Sequence, residues 1–254
     1  MKVVRAGFRR STVASRSFKV RSMTEESSTA IPAKPLAFRH PMRSLSGRLA
    51  GVGSIKIVTI GSSTTAGEGG IVPYPQRLEN ALRERYPGRN FDVLNRGVGG
   101  EEAPDEVKRM QRDVIDDRPS VVIWQVGTNA AWKGQDLAAV AKSIADGLQM
   151  LSQLGADVIL MDVQYVPALL VPGKRQAAER IVDLIATAAE RATFPVNVFQ
   201  RYDLMRRWHD TECISFDRIV DSGDGDRLHH SDWSARRMAE ALADTMVIAA
   251  ARTT

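Results

Sequence analysis

One cysteine, Cys213, stands in the 254 residues. A lone thiol closes no intrachain disulfide and builds no zinc site of several thiolates, so it reads as a buried, inert side chain. The four histidines lack the spacing of zinc ligands, and no metal or cofactor is called for. Long apolar runs are missing too: nothing approaches the roughly 18 uninterrupted apolar residues of a spanning helix. Apolar residues make up 43% and charged residues 26%, which excludes collagen-like, coiled-coil and wholly disordered chains.

Acids are absent before Glu25, and that absence explains the net charge of +5. Residues 1–50 hold 11 Lys or Arg against 2 acids, which leaves 24 basic and 28 acidic residues, a balance of −4, for 51–254. A basic groove for nucleic acid is thereby excluded from the body of the chain. The Arg- and Ser-rich stretch 1–50, with Pro32, Pro35 and Pro41, is read as a disordered segment preceding a domain over 51–254. It lacks the apolar core of a secretory signal despite Arg9-Arg10. Its composition matches an organelle transit peptide or a leader preceding a true start at Met23 or Met42. A cytoplasmic location is the default expectation. Deleting the segment is expected to change neither stability nor activity.

From Gly51 onward, short β-branched runs alternate with longer amphipathic stretches, the pattern of βαβ units. Strands are expected at 55–60, 91–95, 121–126, 158–163 and 196–200, making a five-stranded parallel sheet. Helices are expected from Tyr74 to Tyr86, stopped by Pro87-Gly88, through Val107 to Ile115, from Leu137 to Leu151, over 175–191, and from Ser231 onward. In open parallel sheets ligands bind beyond the carboxyl ends of the strands, so the residues there carry the functional question. They are Gly61-Ser62-Ser63-Thr64-Thr65-Ala66-Gly67, Asn95-Arg96-Gly97-Val98-Gly99-Gly100 and Gly127-Thr128-Asn129, with Asp226-Arg227-Leu228-His229 near the C-terminus.

These four blocks, in this order, resemble the SGNH (GDSL-type) hydrolases. The resemblance covers about residues 55–245 and implies a flavodoxin-like three-layer α/β/α sandwich. It implies Ser63 as nucleophile, with Asp226 and His229 from the Asp-x-x-His block, and activity on carboxylic esters. Two positions depart from the family pattern: Ser62 stands where Asp is usual and Ala130 where a second acid is usual.

The chemistry agrees with that resemblance. A serine hydroxyl needs a base to take its proton, which His229 supplies, and an acid to hold the other ring nitrogen, a role the spacing gives to Asp226. Backbone N–H groups of Ser63 and Gly100 and the Asn129 amide are the expected donors to an oxyanion. His230 is read as a rim or surface residue. Trp132, Gln125 and Tyr165 are candidate substrate contacts. The expected partner is a small-molecule or glycan ester, short-chain acyl or acetyl, and the oligomeric state is unread. Each block alone has a plainer reading, since Ser/Thr clusters cap helices and glycines make turns. Two other classes stay open: an inactive binding module on the same fold, and a nucleotide-binding domain, against which Glu68 stands where a phosphate loop needs lysine.

Overall fold

The computed structural model describes residues 36–252, all within the compact unit Lys34–Thr254. The expectations for residues 1–35, including Arg9-Arg10, Met23 and the targeting segment, lie outside the described residues. Five parallel strands form the sheet: β1 (Ile55–Gly61), β2 (Phe91–Gly97), β3 (Val121–Gln125), β4 (Asp157–Met161) and β5 (Val196–Phe199), in the order β2-β1-β3-β4-β5. The order reverses direction between β1 and β3, which opens a crevice at their carboxyl ends as in flavodoxin-like sheets. The register pairs Gly61 with Gly97 and Ile60 with Trp124, so the loops after β1, β2 and β3 leave the sheet side by side. The β-branched residues of β1 and β3 are buried, as a central strand covered on both faces requires.

The connections include α2 (Ser63–Ala66), α3 (Tyr74–Arg85), α4 (Ala103–Met110), α5 (Thr128–Lys133), α6 (Leu137–Leu151), α7 (Lys174–Arg191), α8 (Arg201–Asp210), α9 (Phe216–Ile219) and α10 (Asp232–Ala251). Helices α3 and α10 pack together, while α4, α6 and α7 pack in series. The stretch Val107–Ile115 divides between the end of α4 and a π-helical turn, Gln111–Ile115. Short helices α2 and α5 hold too few turns for apolar periodicity to reveal them.

Two expectations fail here. Residues 36–50 are part of the folded domain. Phe38, Met42 and Leu45 are buried, and Arg43–Ala50 is a helix, α1. The Asp157 carboxylate accepts the N–H groups of Ser44 (3.3 Å) and Leu45 (2.8 Å), and the Met42 N–H donates to the Ala249 carbonyl at 3.2 Å. Three apolar side chains among three arginines gave too weak a pattern to set against the basic composition. Cys213, expected to be buried, is exposed on the turn after α8, with a left-handed φ of 54°.

Candidate active site

Ser63 opens α2 directly after β1, where the chain turns sharply from strand to helix. Gln125, at the end of β3, holds that turn: its Oε1 accepts the Ser62 N–H (3.2 Å), the Ser62 hydroxyl (3.4 Å) and the Thr65 hydroxyl (3.1 Å). Gln125 is buried, so its side chain shapes the serine turn rather than meeting substrate. Asn95 fastens the second block, donating Nδ2–H to the Thr65 carbonyl (2.7 Å) and accepting the Gly97 N–H (2.9 Å). Gly97 must be glycine, because a Cβ there would stand 2.2 Å from the Ala66 nitrogen.

His229 lies on a loop closed by an antiparallel bridge between Val220 and His230, with Asp221 N–H to His229 carbonyl at 3.0 Å. Its Nε2 is 3.0 Å from Ser63 Oγ, and its Nδ1 is 3.0 Å from Asp224 Oδ2. A carboxylate only accepts, so Nδ1 carries the proton and Nε2 is left to accept from the Ser63 hydroxyl. The acid beside the imidazole is therefore Asp224, not Asp226. Asp224 lies inside the loop and gathers the N–H groups of Asp226 (3.2 Å), Leu228 (2.7 Å) and His229 (2.6 Å). Asp226 is exposed and contributes its backbone N–H, while Arg227 next to it takes a left-handed φ of 55°. Burial raises the Asp224 carboxyl, but the N–H groups of His229 and Leu228 and the nearby imidazole outweigh it and hold the group below its ordinary value.

Gln164, just past β4, ties the two halves: it accepts from the Thr64 hydroxyl (3.3 Å) and donates to the Leu228 carbonyl (2.6 Å). Sequence reasoning missed Gln164 and Asp224. Position after a strand pointed to the first, and Gly223-Asp224-Gly225 was a visible turn for the second. The N–H groups of Ser63 and Gly100 are not spent on protein acceptors among the described residues. Gly100 has a φ of 78° and open space at its Cβ position. Asn129 is buried and donates one amide hydrogen to the Glu101 carbonyl at 2.8 Å, leaving the other unassigned. Arg109 steadies the same loop through Glu101 (2.7 Å) and the Arg96 carbonyl (2.7 Å), and Lys133 through the Gly100 carbonyl (3.1 Å).

Other candidates fall elsewhere. Tyr165 is buried edge-on to Tyr202, with its hydroxyl 3.5 Å from Asp210 Oδ1, so it serves packing beside α8. Trp132 is half-buried on α5 with the Lys174 ammonium 5.4 Å from its ring centre. His230 is buried rather than on the rim. Its Nδ1 pairs with the Ser234 hydroxyl at 2.9 Å, and burial drives its basicity well below that of an ordinary histidine.

The family model described as the Non-GDSL lipase-like family matches residues 28–253. The chain belongs to the Non-GDSL lipase-like family. Its relatives include the uncharacterized lipoprotein YqeF of Bacillus subtilis, 36% identical over 84 residues, which are 32% of this chain and 34% of that protein. The chain thus matches about a third of the lipoprotein's length. Esterase TesA of Pseudomonas aeruginosa is 23% identical over 141 residues, 55% of this chain and 69% of TesA.

Among solved structures, a catalytic mutant of Axe2, an acetylxylan esterase from Geobacillus stearothermophilus, superposes with a TM-score of 0.65 at 19% identity, covering 77% of this chain and 95% of Axe2. A crystal structure of TesA gives a TM-score of 0.60 at 18% identity, covering 76% of this chain and 99% of that one. At such identities the likeness establishes the shared fold. Two catalytic mutants of Axe2 replace a histidine and an aspartate that stand three residues apart. No helix of the described residues is long and apolar enough to cross a membrane.

Proposed function

We propose that this protein hydrolyses carboxylic esters, with Ser63 as nucleophile, His229 as general base and Asp224 as the residue that orients the imidazole. The observation that carries the proposal is the continuous chain from Ser63 Oγ through Nε2 and Nδ1 of His229 to Asp224, each link 3.0 Å. Ser63 Oγ attacks the ester carbonyl while its proton passes to Nε2, and the tetrahedral oxyanion meets the N–H groups of Ser63 and Gly100 and the remaining amide hydrogen of Asn129. The imidazolium returns the proton to the leaving alcohol. Water then enters by the same route, giving one proton to Nε2 as its oxygen attacks the acyl carbon; the acyl–Oγ bond breaks, the acid leaves, and Nε2 returns that proton to Ser63 Oγ.

Short-chain acyl or acetyl esters, on a small molecule or a glycan, are the proposed substrates, a choice supported by the acetylxylan esterase among the proteins of this fold. The Asp-x-x-His spacing of that enzyme falls on Asp226 and His229 here, whereas the carboxylate that accepts the Nδ1–H hydrogen bond is that of Asp224. The assignment of Asp224 rests on that bond.

The test is hydrolysis of p-nitrophenyl acetate, butyrate and octanoate by the full chain. Ser63→Ala should cut kcat/KM for the preferred ester by on the order of 10³-fold or more. Turnover that survives in Ser63→Ala would move the nucleophile elsewhere, and a preference for octanoate would overturn the short-chain assignment.

A further inference from the structure

One charged side chain at the serine–histidine pair has no part in the mechanism above. Glu68 follows α2 in the loop beyond Ser63, and its carboxylate lies across the site mouth. Its Oε2 is 3.5 Å from Nε2 of His229. Its other oxygen rests on Gly99, where a Cβ would come within 2.2 Å of Oε1. The side chain is 45% exposed, and among the described residues no lysine or arginine lies within ion-pair distance of it. Asp221 adds a second acid on the facing loop, with its Oδ2 3.1 Å from the position a Gly69 Cβ would take.

Chemistry fixes what occupies that space. Nε2 delivers its proton to the departing alcohol, so the leaving oxygen lies within hydrogen-bond reach of that nitrogen. A carboxylate 3.5 Å from the same atom is therefore a neighbour of the alcohol half of the ester. The half-exposed position keeps its charge in partial contact with water, which weakens its field without removing it.

Building on the hydrolase reading, we propose that Glu68 is a specificity-determining residue that selects the alcohol half of the ester. It accepts hydrogen bonds from hydroxyl-rich alcohols, attracts cationic ones and repels anionic ones. The substrates this favours are esters of sugars or amino alcohols. The ones it rejects are esters whose alcohol portion carries phosphate or carboxylate.

The proposal is tested with three acetate esters that differ in the charge of the leaving phenol: phenyl acetate, 3-acetoxyphenyl-trimethylammonium and 4-acetoxybenzoate. Intrinsic differences among the phenols cancel when each variant is compared with the parent chain. Glu68→Gln should lower kcat/KM for the cationic ester relative to the neutral one by roughly three- to tenfold and raise that for the anionic ester by a similar factor. Glu68→Lys should carry both ratios further in the same direction. A structural role would instead lower all three by one common factor, and that result overturns the proposal. Ser63→Ala separates the two failures: serine-dependent turnover with unchanged ratios sinks the role of Glu68 alone, whereas turnover of none of the three esters sinks the hydrolase reading and this inference with it.

Discussion

Two segments at opposite ends of the chain use the same device for different purposes. The arm 36–50 is held where Asp157 accepts the N–H groups of Ser44 and Leu45, and the loop 221–230 is held where Asp224 accepts those of Asp226, Leu228 and His229. Around Asp157 the arm buries Phe38, Met42 and Leu45, while the loop around Asp224 is largely exposed and presents His229 to Ser63. The two acids respond in opposite ways. Burial raises the Asp157 carboxyl despite its N–H partners, whereas the partners of Asp224 overcome its burial and lower it. An aspartate that collects backbone N–H groups is thus fold-bearing or chemistry-bearing according to what is packed around it.

The largest effect expected from this contrast falls on the arm. Removing residues 1–50 strips three buried side chains from the core, each costing roughly 2–5 kcal/mol when truncated in well-packed interiors. That sum rivals the roughly 5–15 kcal/mol that holds a typical domain together. The shortened chain should therefore unfold at a much lower urea concentration than the full chain, or fail to fold. Leu45→Ala alone should shift the midpoint in the same direction. Equal midpoints for the shortened and full chains would mean that the arm adds nothing to the fold.

On the loop the larger expected loss is in rate. Asp224→Asn puts an amide where Nδ1–H needs an acceptor, which favours the wrong tautomer, and should lower kcat by on the order of 10³- to 10⁴-fold. Asp226→Asn, changing an exposed side chain, should stay within about twofold of the parent. Far-ultraviolet circular dichroism should be unchanged in both. If Asp226→Asn is the slower variant, the orienting acid is Asp226 and the hydrogen bond to Asp224 serves only the loop.

The same contrast explains what could be read in the sequence. The strands were legible because β-branched runs such as Ile55–Ile60 and Val121–Val126 are bounded by turn residues, and all five fall within a residue or two of their expected ends. Ser63 was placed by the serine-rich turn after the first strand and His229 by its resemblance to an Asp-x-x-His block, and the structure brings Nε2 and Oγ of the two to 3.0 Å. The acid was not legible. Asp221, Asp224 and Asp226 crowd one loop, and which of them turns inward depends on a bridge between Val220 and His230 that no local pattern encodes. Gln125 ends β3 and Tyr165 follows β4 by four residues, yet both are buried: Gln125 because the last residue of a strand can point either way, Tyr165 because its ring packs against Tyr202 of α8. The arm failed for the opposite reason: its basic composition was plain, while its anchor, Asp157, lies more than a hundred residues away.

Acid is the gentlest way to sharpen the comparison. Asp224 has a folded-state pKa below its unfolded value, so the stability it contributes is present above about pH 4 and is lost as pH falls through the folded value. Asp157 is raised, so its contribution is greatest below about pH 4 and declines as pH rises through the folded value. Between pH 6 and pH 3 the melting temperature should consequently fall less steeply in Asp224→Asn than in the parent chain, and no less steeply in Asp157→Asn. Thermal unfolding of the three proteins across that range gives the slopes directly. Identical slopes in all three would mean that neither carboxylate is coupled to folding through its proton, and that the loop and the arm are held by geometry alone.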